Sequence, residues 1–147
     1  MEPIGFKNAY YIKLGRKGEW EKSSIEDNKV RISWAKQILE DINQRNWDVI
    51  RMQLEQEFQQ RGNQNKGAVT CDFNALKSFI ESTSDDIWIT FHASFLWWCR
   101  LGSPKVEQDQ TSKYREVSGQ WHSHDINNNL LMVVDLGLTS WLLKKIR

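Results

Sequence analysis

Apolar and polar positions alternate at the start of the chain. Tyr10, Ile12 and Leu14 fall on one side of an extended segment and Tyr11 and Lys13 on the other, which predicts a strand with one core face. Gly15 and Gly18 then let the backbone leave the sheet, so Gly15-Arg16-Lys17-Gly18 reads as a structured loop that delivers Trp20. An indole there either closes one end of a small barrel or stacks on a ligand. A second short strand is expected over Val30-Arg31-Ile32-Ser33-Trp34, after a turn at Asn28-Lys29.

Helical spacing follows. Ile38, Leu39 and Ile42 predict a helix within 35–45, and Asn46 stands as the cap of a second helix from Trp47 to Gln60 with Trp47, Ile50, Leu54 and Phe58 as its buried stripe. Beyond the polar loop 62–67, Asp72 is expected to cap a third helix carrying Phe73, Leu76, Phe79 and Ile80. Alternation then returns. Ile87, Ile89 and Phe91 oppose Trp88, Thr90 and His92, and a reversal at Ala93-Ser94 leads into a partner strand from Phe95 to Leu101, with Trp97 and Trp98 facing opposite ways. A loop is expected from Gly102 to Lys113, a short strand over Tyr114-Arg115-Glu116-Val117, a strand over 130–134, and a strand or short helix within 138–146.

Composition narrows the class. The 147 residues are 39% hydrophobic and 27% charged, enough for one globular domain with its own core. No apolar run reaches membrane-spanning length and the amino terminus lacks a secretion signal, so a cytoplasmic protein is expected. Cys71 and Cys99 lack metal-ligand spacing and read as small core residues. A net charge of +1 excludes bulk coating of nucleic acid, which requires many phosphates to be neutralised together. Any such role must be local, although eight cations against five acids in residues 1–36 leave room for a basic patch.

Eight tryptophans exceed what packing a modest core requires, and some are expected to face a ligand. Catalytic signatures are weak: Gly15-Arg16-Lys17-Gly18 lacks the spacing and the terminal Lys-Ser/Thr of a phosphate-binding loop, and no nucleophile and base stand together. His122-Ser123-His124-Asp125 offers two imidazoles to one face without a third ligand, so neither a metal nor a cofactor is expected. The aromatic inventory suits a flat ligand instead. A flipped nucleobase needs ring walls and polar edge contacts, for which Trp20, Trp34 and Trp121 offer walls and Lys13, Ser33, Thr90 and His92 offer edges. Tyr11 and Trp98 complete the candidate base-binding set, and Lys7, Arg16, Lys17, Lys113 and Arg115 are the candidate phosphate contacts. Trp47 and Trp141 are expected in the core.

The order Tyr11-Ile12-Lys13, loop, Arg31-Ile32-Ser33-Trp34, helices, Trp88-Ile89-Thr90-Phe91-His92, Leu96-Trp97-Trp98-Cys99 and Lys113-Tyr114-Arg115 to Gly119-Gln120-Trp121 resembles the PUA-like superfamily. Within it the chain is most similar to EVE and YTH-like modified-base readers, as found at the amino terminus of modification-dependent restriction systems. The resemblance implies an α+β fold, a small, strongly bent β-barrel flanked by about three helices, in which an aromatic cage accepts a flipped, modified base. It matches Lys13 to the lysine ending the family's first strand, Ser33-Trp34 to a cage wall and Trp121 to an aromatic after a later strand; Trp20 has no counterpart. The family's Gly-Val-Arg-Asn segment reads Val30-Arg31-Ile32-Ser33, so the edge contact of that asparagine is not carried over. The implied function is recognition of a methylated or hydroxymethylated base in double-stranded DNA. The domain is then a reader and not an enzyme, with nuclease or NTPase activity in a fused or partner domain beyond Arg147. A reader of methylated RNA and a protein-interaction domain with packed tryptophans are the alternatives.

Overall fold

The computed structural model describes residues 5–33, 36–63 and 65–124, together with the backbone of 143–146. The fold is α+β. Strands β1 (Ala9–Ile12), β3 (Ile87–His92), β4 (Phe95–Cys99) and β7 (Leu143–Ile146) form one sheet in the order β4-β3-β1-β7. Strands β2 (Lys29–Ile32), β5 (Glu107–Gln108) and β6 (Lys113–Glu116) form a second in the order β2-β6-β5. Helices α1 (Glu21–Asp27), α2 (Leu39–Asn43), α3 (Trp47–Gln60) and α4 (Lys66–Glu81) occupy the connections. Parallel pairing of β1 with both β3 and β7 requires long crossovers, which the helical segment supplies between β1 and β3.

The two sheets are laced together. Trp98 in β4 bridges to His122, and Leu101 just beyond it bridges to Val117, so the segment after β6 runs along the edge of β4. Backbone bonds from Gly102 N to Glu116 O, Ser118 N to Arg100 O and in both directions between Trp98 and His122 hold this bend. Neither sheet closes on itself among the described residues.

Alternation sorts the first sheet into the two expected faces. Tyr10, Ile12, Leu14, Trp88 and Cys99 enter the main core with Val30, Ile32, Ile42, Ile50, Leu76, Phe79 and Ile80 from the second sheet and the helices. Tyr10 stacks on Trp88 with ring centroids 4.7 Å apart, and Phe79 meets the same indole edge-on. The opposite face buries Ala9, Ile87, Ile89, Leu96 and Trp98 as a smaller cluster. Trp47 is partly buried against Phe73 in a T-shaped contact.

Several local expectations are corrected. Helix α1 follows the glycine turn directly, where only a loop was expected. Helix α4 starts at Lys66 and is capped by the Asn65 side chain, which accepts from Gly67 N and Ala68 N; Asp72 lies buried inside the helix and is not its cap. Asn46 does precede α3, yet its side chain makes no capping bond and donates to Asp41 and Gln44 instead. Among the described residues there are four α-helices where about three were expected. Part of the polar loop 102–113 is strand β5, and of the tail 138–146, residues 143–146 are strand. Cys99 is buried as expected, whereas Cys71 is exposed. Trp34, Asp125, the strand expected over 130–134 and Trp141 lie outside the described residues. Among the described residues no helix is long and apolar enough to cross a membrane.

Candidate functional site

The turn after β1 is built to return the chain to where it left the sheet. Gly15 adopts φ 81° and ψ 175°, a region open in practice to glycine alone, and Lys17 and Gly18 follow with positive φ. A 3-10 turn over Arg16–Gly18 then lets Trp20 N donate to Leu14 O at 3.0 Å, closing the loop on the end of β1. The Trp20 ring lies directly over Gly15: a Cβ there would sit 2.9 Å from the indole. Trp20 is half-buried against the main core.

Glu21, the first residue of α1, pins this turn. Its carboxylate covers the Cα of Gly18, so closely that a Cβ would collide with it, and pairs with His92 Nδ1 at 3.5 Å. Tyr11 is close enough to feel the same charge: its phenol is raised above the ordinary value by burial first and by Glu21 second. Glu21 thus ties the Trp20 turn to His92 at the end of β3.

The opposing wall comes from the second sheet. Trp20, Ile32, Ser33, Lys36, Gln108, Thr111, Ser112 and Lys113 line a slot of about 310 Å³. That is at the small end of the roughly 300–1,000 Å³ usual for small-molecule sites. The β5–β6 turn that supplies Thr111 and Ser112 is held by Asp109, whose Oδ1 accepts from Arg31 Nη1 at 2.9 Å and from the backbone N–H groups of Thr111 and Ser112. Its Oδ2 accepts from Arg31 Nη2 at 2.7 Å and from Lys29 Nζ at 3.3 Å. Both cations also lie over the Tyr114 ring. The Arg31 guanidinium holds the Asp109 carboxyl well below the usual carboxylate range.

A depressed carboxylate stabilises the fold fully above its unfolded pKa, near about 4, and loses that contribution as pH falls through the lower, folded value. Asp109→Asn is accordingly expected to cost about 1–2 kcal/mol at pH 7, with the difference from the parent protein narrowing as pH falls below about 4. Urea denaturation at pH 7 and pH 3 checks this.

Of the residues expected at the site, the slot gathers Trp20, Ser33 and Lys113. Lys13, Arg16 and Lys17 are exposed on or beside the Trp20 turn, available to phosphates but not lining the slot. Lys7 precedes β1 and Lys13 follows it, so Lys7 lies at the far end of the strand, where its backbone N–H donates to Asp85 O. Lys113 belongs to the slot itself and is only 8% exposed, with burial lowering its pKa.

Four assignments are displaced. Trp121 is a core residue and not a wall: it is 4% exposed and its Nε1 donates to Lys29 O at 3.0 Å. Trp98 is buried on the other face of the first sheet, tilted over His122 and donating to His124 O. Thr90 is buried within β3. Arg115 is 1% exposed, so it cannot reach a phosphate; its guanidinium donates to Phe79 O, Ser82 O and Ser103 O. His122 and His124 serve the Trp98 environment, and among the described residues no group of three or more His, Cys, Asp or Glu could hold a metal ion.

Ile32, Lys36, Gln108, Thr111 and Ser112 were not legible as site residues. The Asp109-Gln110-Thr111-Ser112 run did carry a turn signal, but its docking partner Arg31 is distant in sequence. Compared with family models, curated proteins and solved structures, the chain matches none of them.

Proposed function

We propose that the protein is a nucleic-acid-binding module that takes a flipped, modified base of double-stranded DNA into the slot between the Trp20 turn and the β2–β6 edge. The observation that carries this reading is the slot itself, lined by Trp20 and Ile32 together with the polar residues Ser33, Gln108, Thr111 and Ser112 and the lysines Lys36 and Lys113. Ring face plus polar edge is what a base taken out of a duplex requires. Trp34, next in sequence to Ser33, is the proposed second wall. Lys13, Arg16 and Lys17 are the proposed phosphate contacts, few enough to agree with the net charge of +1.

The bend from the first sheet into the second, carried by the bridges at Trp98 and Leu101, supports reading the fold as a PUA-like, EVE or YTH-like domain. On that reading the domain is a reader that targets a modification-dependent restriction effector, with nuclease or NTPase activity in a fused or partner domain. The proposed setting is cytoplasmic.

The test is the affinity of the protein for duplexes that differ in a single modified base, measured at several salt concentrations. At least one modified duplex is expected to bind tighter than the unmodified one, and Trp20→Ala is expected to cost about 1–3 kcal/mol of that binding, the usual worth of stacking one base, in a protein that stays folded. Equal affinity for all duplexes would refute the proposal. Tighter binding to the matching modified RNA would move it to an RNA reader.

A further inference from the structure

Behind the second wall of the slot the chain is held by a clasp. Gln108 lines the slot from β5, and two residues before it both main-chain polar groups of the fully buried Val106 are taken by one side chain. Asn43 Nδ2 donates to Val106 O and Asn43 Oδ1 accepts from Val106 N, each at 2.8 Å. An amide that serves both groups of one residue imitates a strand neighbour, so the end of α2 is fixed against the segment leading into β5. Lys105 and Arg45 flank this clasp, one on each segment, and both are exposed.

Arg45 holds φ 56°, in the left-handed region that glycine and asparagine enter at less cost. The backbone therefore gives no reason for an arginine here; the side chain does. Arg115 lies beneath the same corner, because its guanidinium donates to Ser103 O, two residues before Lys105. Its pKa is lowered by burial first and by the charge of Arg45 second. Two guanidiniums close enough to repel make a place where an anion gains from both, by contact with Arg45 and through the field of Arg115. Arg115 is 1% exposed and contributes charge without touching the ligand. Acids near the corner have partners of their own: Asp41 accepts from Asn46 and Gln53, and Glu107 is bonded to the Tyr114 hydroxyl.

The corner is within reach of a strand whose base fills the slot. Lys105 is three residues from Gln108, at most about 10 Å of extended chain, and each strand of a duplex carries a phosphate about every 3.4 Å of its axis. On the other wall, Lys13, Arg16 and Lys17 stand on or beside the Trp20 turn. Cations on the elements behind both walls suit a backbone that arrives on one side of an extruded base and leaves on the other. We propose that Arg45 and Lys105 bind backbone phosphates on the β5 side of the slot, completing a track that begins at the Trp20 turn. This rests on the reading above that the slot receives a flipped base of duplex DNA. The track stays short, in keeping with a net charge of +1.

The experiment measures the affinity of the full chain, at several salt concentrations, for short duplexes of one sequence carrying 5-methylcytosine, 5-hydroxymethylcytosine, N6-methyladenine or no modification. Arg45→Asn and Lys105→Gln are each expected to weaken binding to every duplex by the same factor, about threefold to tenfold at low salt. Each is also expected to flatten the slope of log affinity against log salt by about one unit, with base preference as in the parent. Asparagine suits the left-handed backbone and removes the repulsion on Arg115, so Arg45→Asn is expected to melt at or above the parent temperature. Lys66→Gln, at an exposed lysine opening α4, is expected to keep the parental slope. Parental slopes in Arg45→Asn and Lys105→Gln would overturn the track and leave the base reading standing, as would an equal loss in Lys66→Gln. A changed base preference at unchanged slope would overturn it too, since these side chains would then touch the base. No duplex preferred by the parent would overturn the base reading, and the slopes would still decide the track. No binding of any duplex would overturn both.

Discussion

Replacing Arg115 by alanine is expected to destabilise the protein by about 3–5 kcal/mol, because it leaves several buried main-chain acceptors without a donor. Arg115 is the largest fully buried charged side chain among the described residues. From β6 it reaches across to the end of α4, where Nη1 donates to Phe79 O at 3.0 Å and Ser82 O at 2.7 Å, while Nε and Nη2 donate to Ser103 O. Helices leave their last carbonyls without intrahelical donors, and a guanidinium at that end also meets the negative pole of the helix. Burial pushes the Arg115 pKa down to about 10, so the side chain is still a cation at neutral pH.

The same carbonyl cluster belongs to a wider polar network. Ser82 Oγ accepts from Trp88 Nε1 and donates to Asp86 Oδ2, each at 2.9 Å, and Asp86 Oδ1 accepts from Asn8. Truncating Arg115 strands several acceptors at once beside the central indole of the core, and each buried unsatisfied group costs about 1–3 kcal/mol. Arg115→Lys recovers charge but not the fork of donors and is expected to fall in between. Thermal melts should show Arg115→Ala lowered by roughly 6–20 °C, at about 2–4 °C per kcal/mol for a chain of this size. A melt unchanged within a degree or two would show that the network is not structural.

The second large effect is expected at Gly15. Gly15→Ala combines two penalties: the backbone holds a conformation that side chains rarely adopt, and the new Cβ would stand 2.8 Å from Glu19 Cγ and 2.9 Å from the Trp20 ring. Both neighbours must give. The expected cost is about 2–3 kcal/mol in urea unfolding, chiefly from backbone strain, together with displacement of the indole from the slot. Weakened binding to a preferred duplex, by tenfold or more in the fraction that remains folded, separates this from a purely structural defect. Gly18→Ala, which would collide with the Glu21 carboxylate, loosens the same turn from the other side.

The legible parts of the fold are those written in local pattern. The β3–β4 hairpin follows from alternation over 87–101, and the register at Ile89 to Trp98 puts Trp97 and Trp98 on opposite faces as expected. The core face of β1 and the stripe Ile50, Leu54 and Phe58 of α3 follow from the same kind of periodicity. Helix α1 was not legible, because seven residues between two turns carry too little periodic signal: only Ser24 is fully buried.

The slot was legible only in pieces. Trp20 stood out as an aromatic after a glycine turn, and Ser33 as the end of a strand, but whether a given tryptophan packs or faces a ligand depends on tertiary neighbours that no window of sequence contains. Trp121 found Lys29 O and Asn28 Oδ1, both more than ninety positions away, and became core. Arg115 and Lys113 are two residues apart on one strand face, and depth alone separates them: one meets main-chain carbonyls, the other the slot. The polar run around Asp109 read only as loop because its ordering partner, Arg31, lies 78 residues earlier.

The slot's role is tested most directly by the indole N–H resonances of the ¹⁵N-labelled protein during titration with the tightest-binding duplex of the panel, the Trp20 signal being assigned from its loss in Trp20→Phe. The Trp20 resonance is expected to shift or broaden strongly, while Trp88, with its Nε1 bound to Ser82 Oγ, and Trp121, with its Nε1 bound to Lys29 O, stay in place. An unmoved Trp20 resonance at saturating duplex would contradict a base bound in this slot.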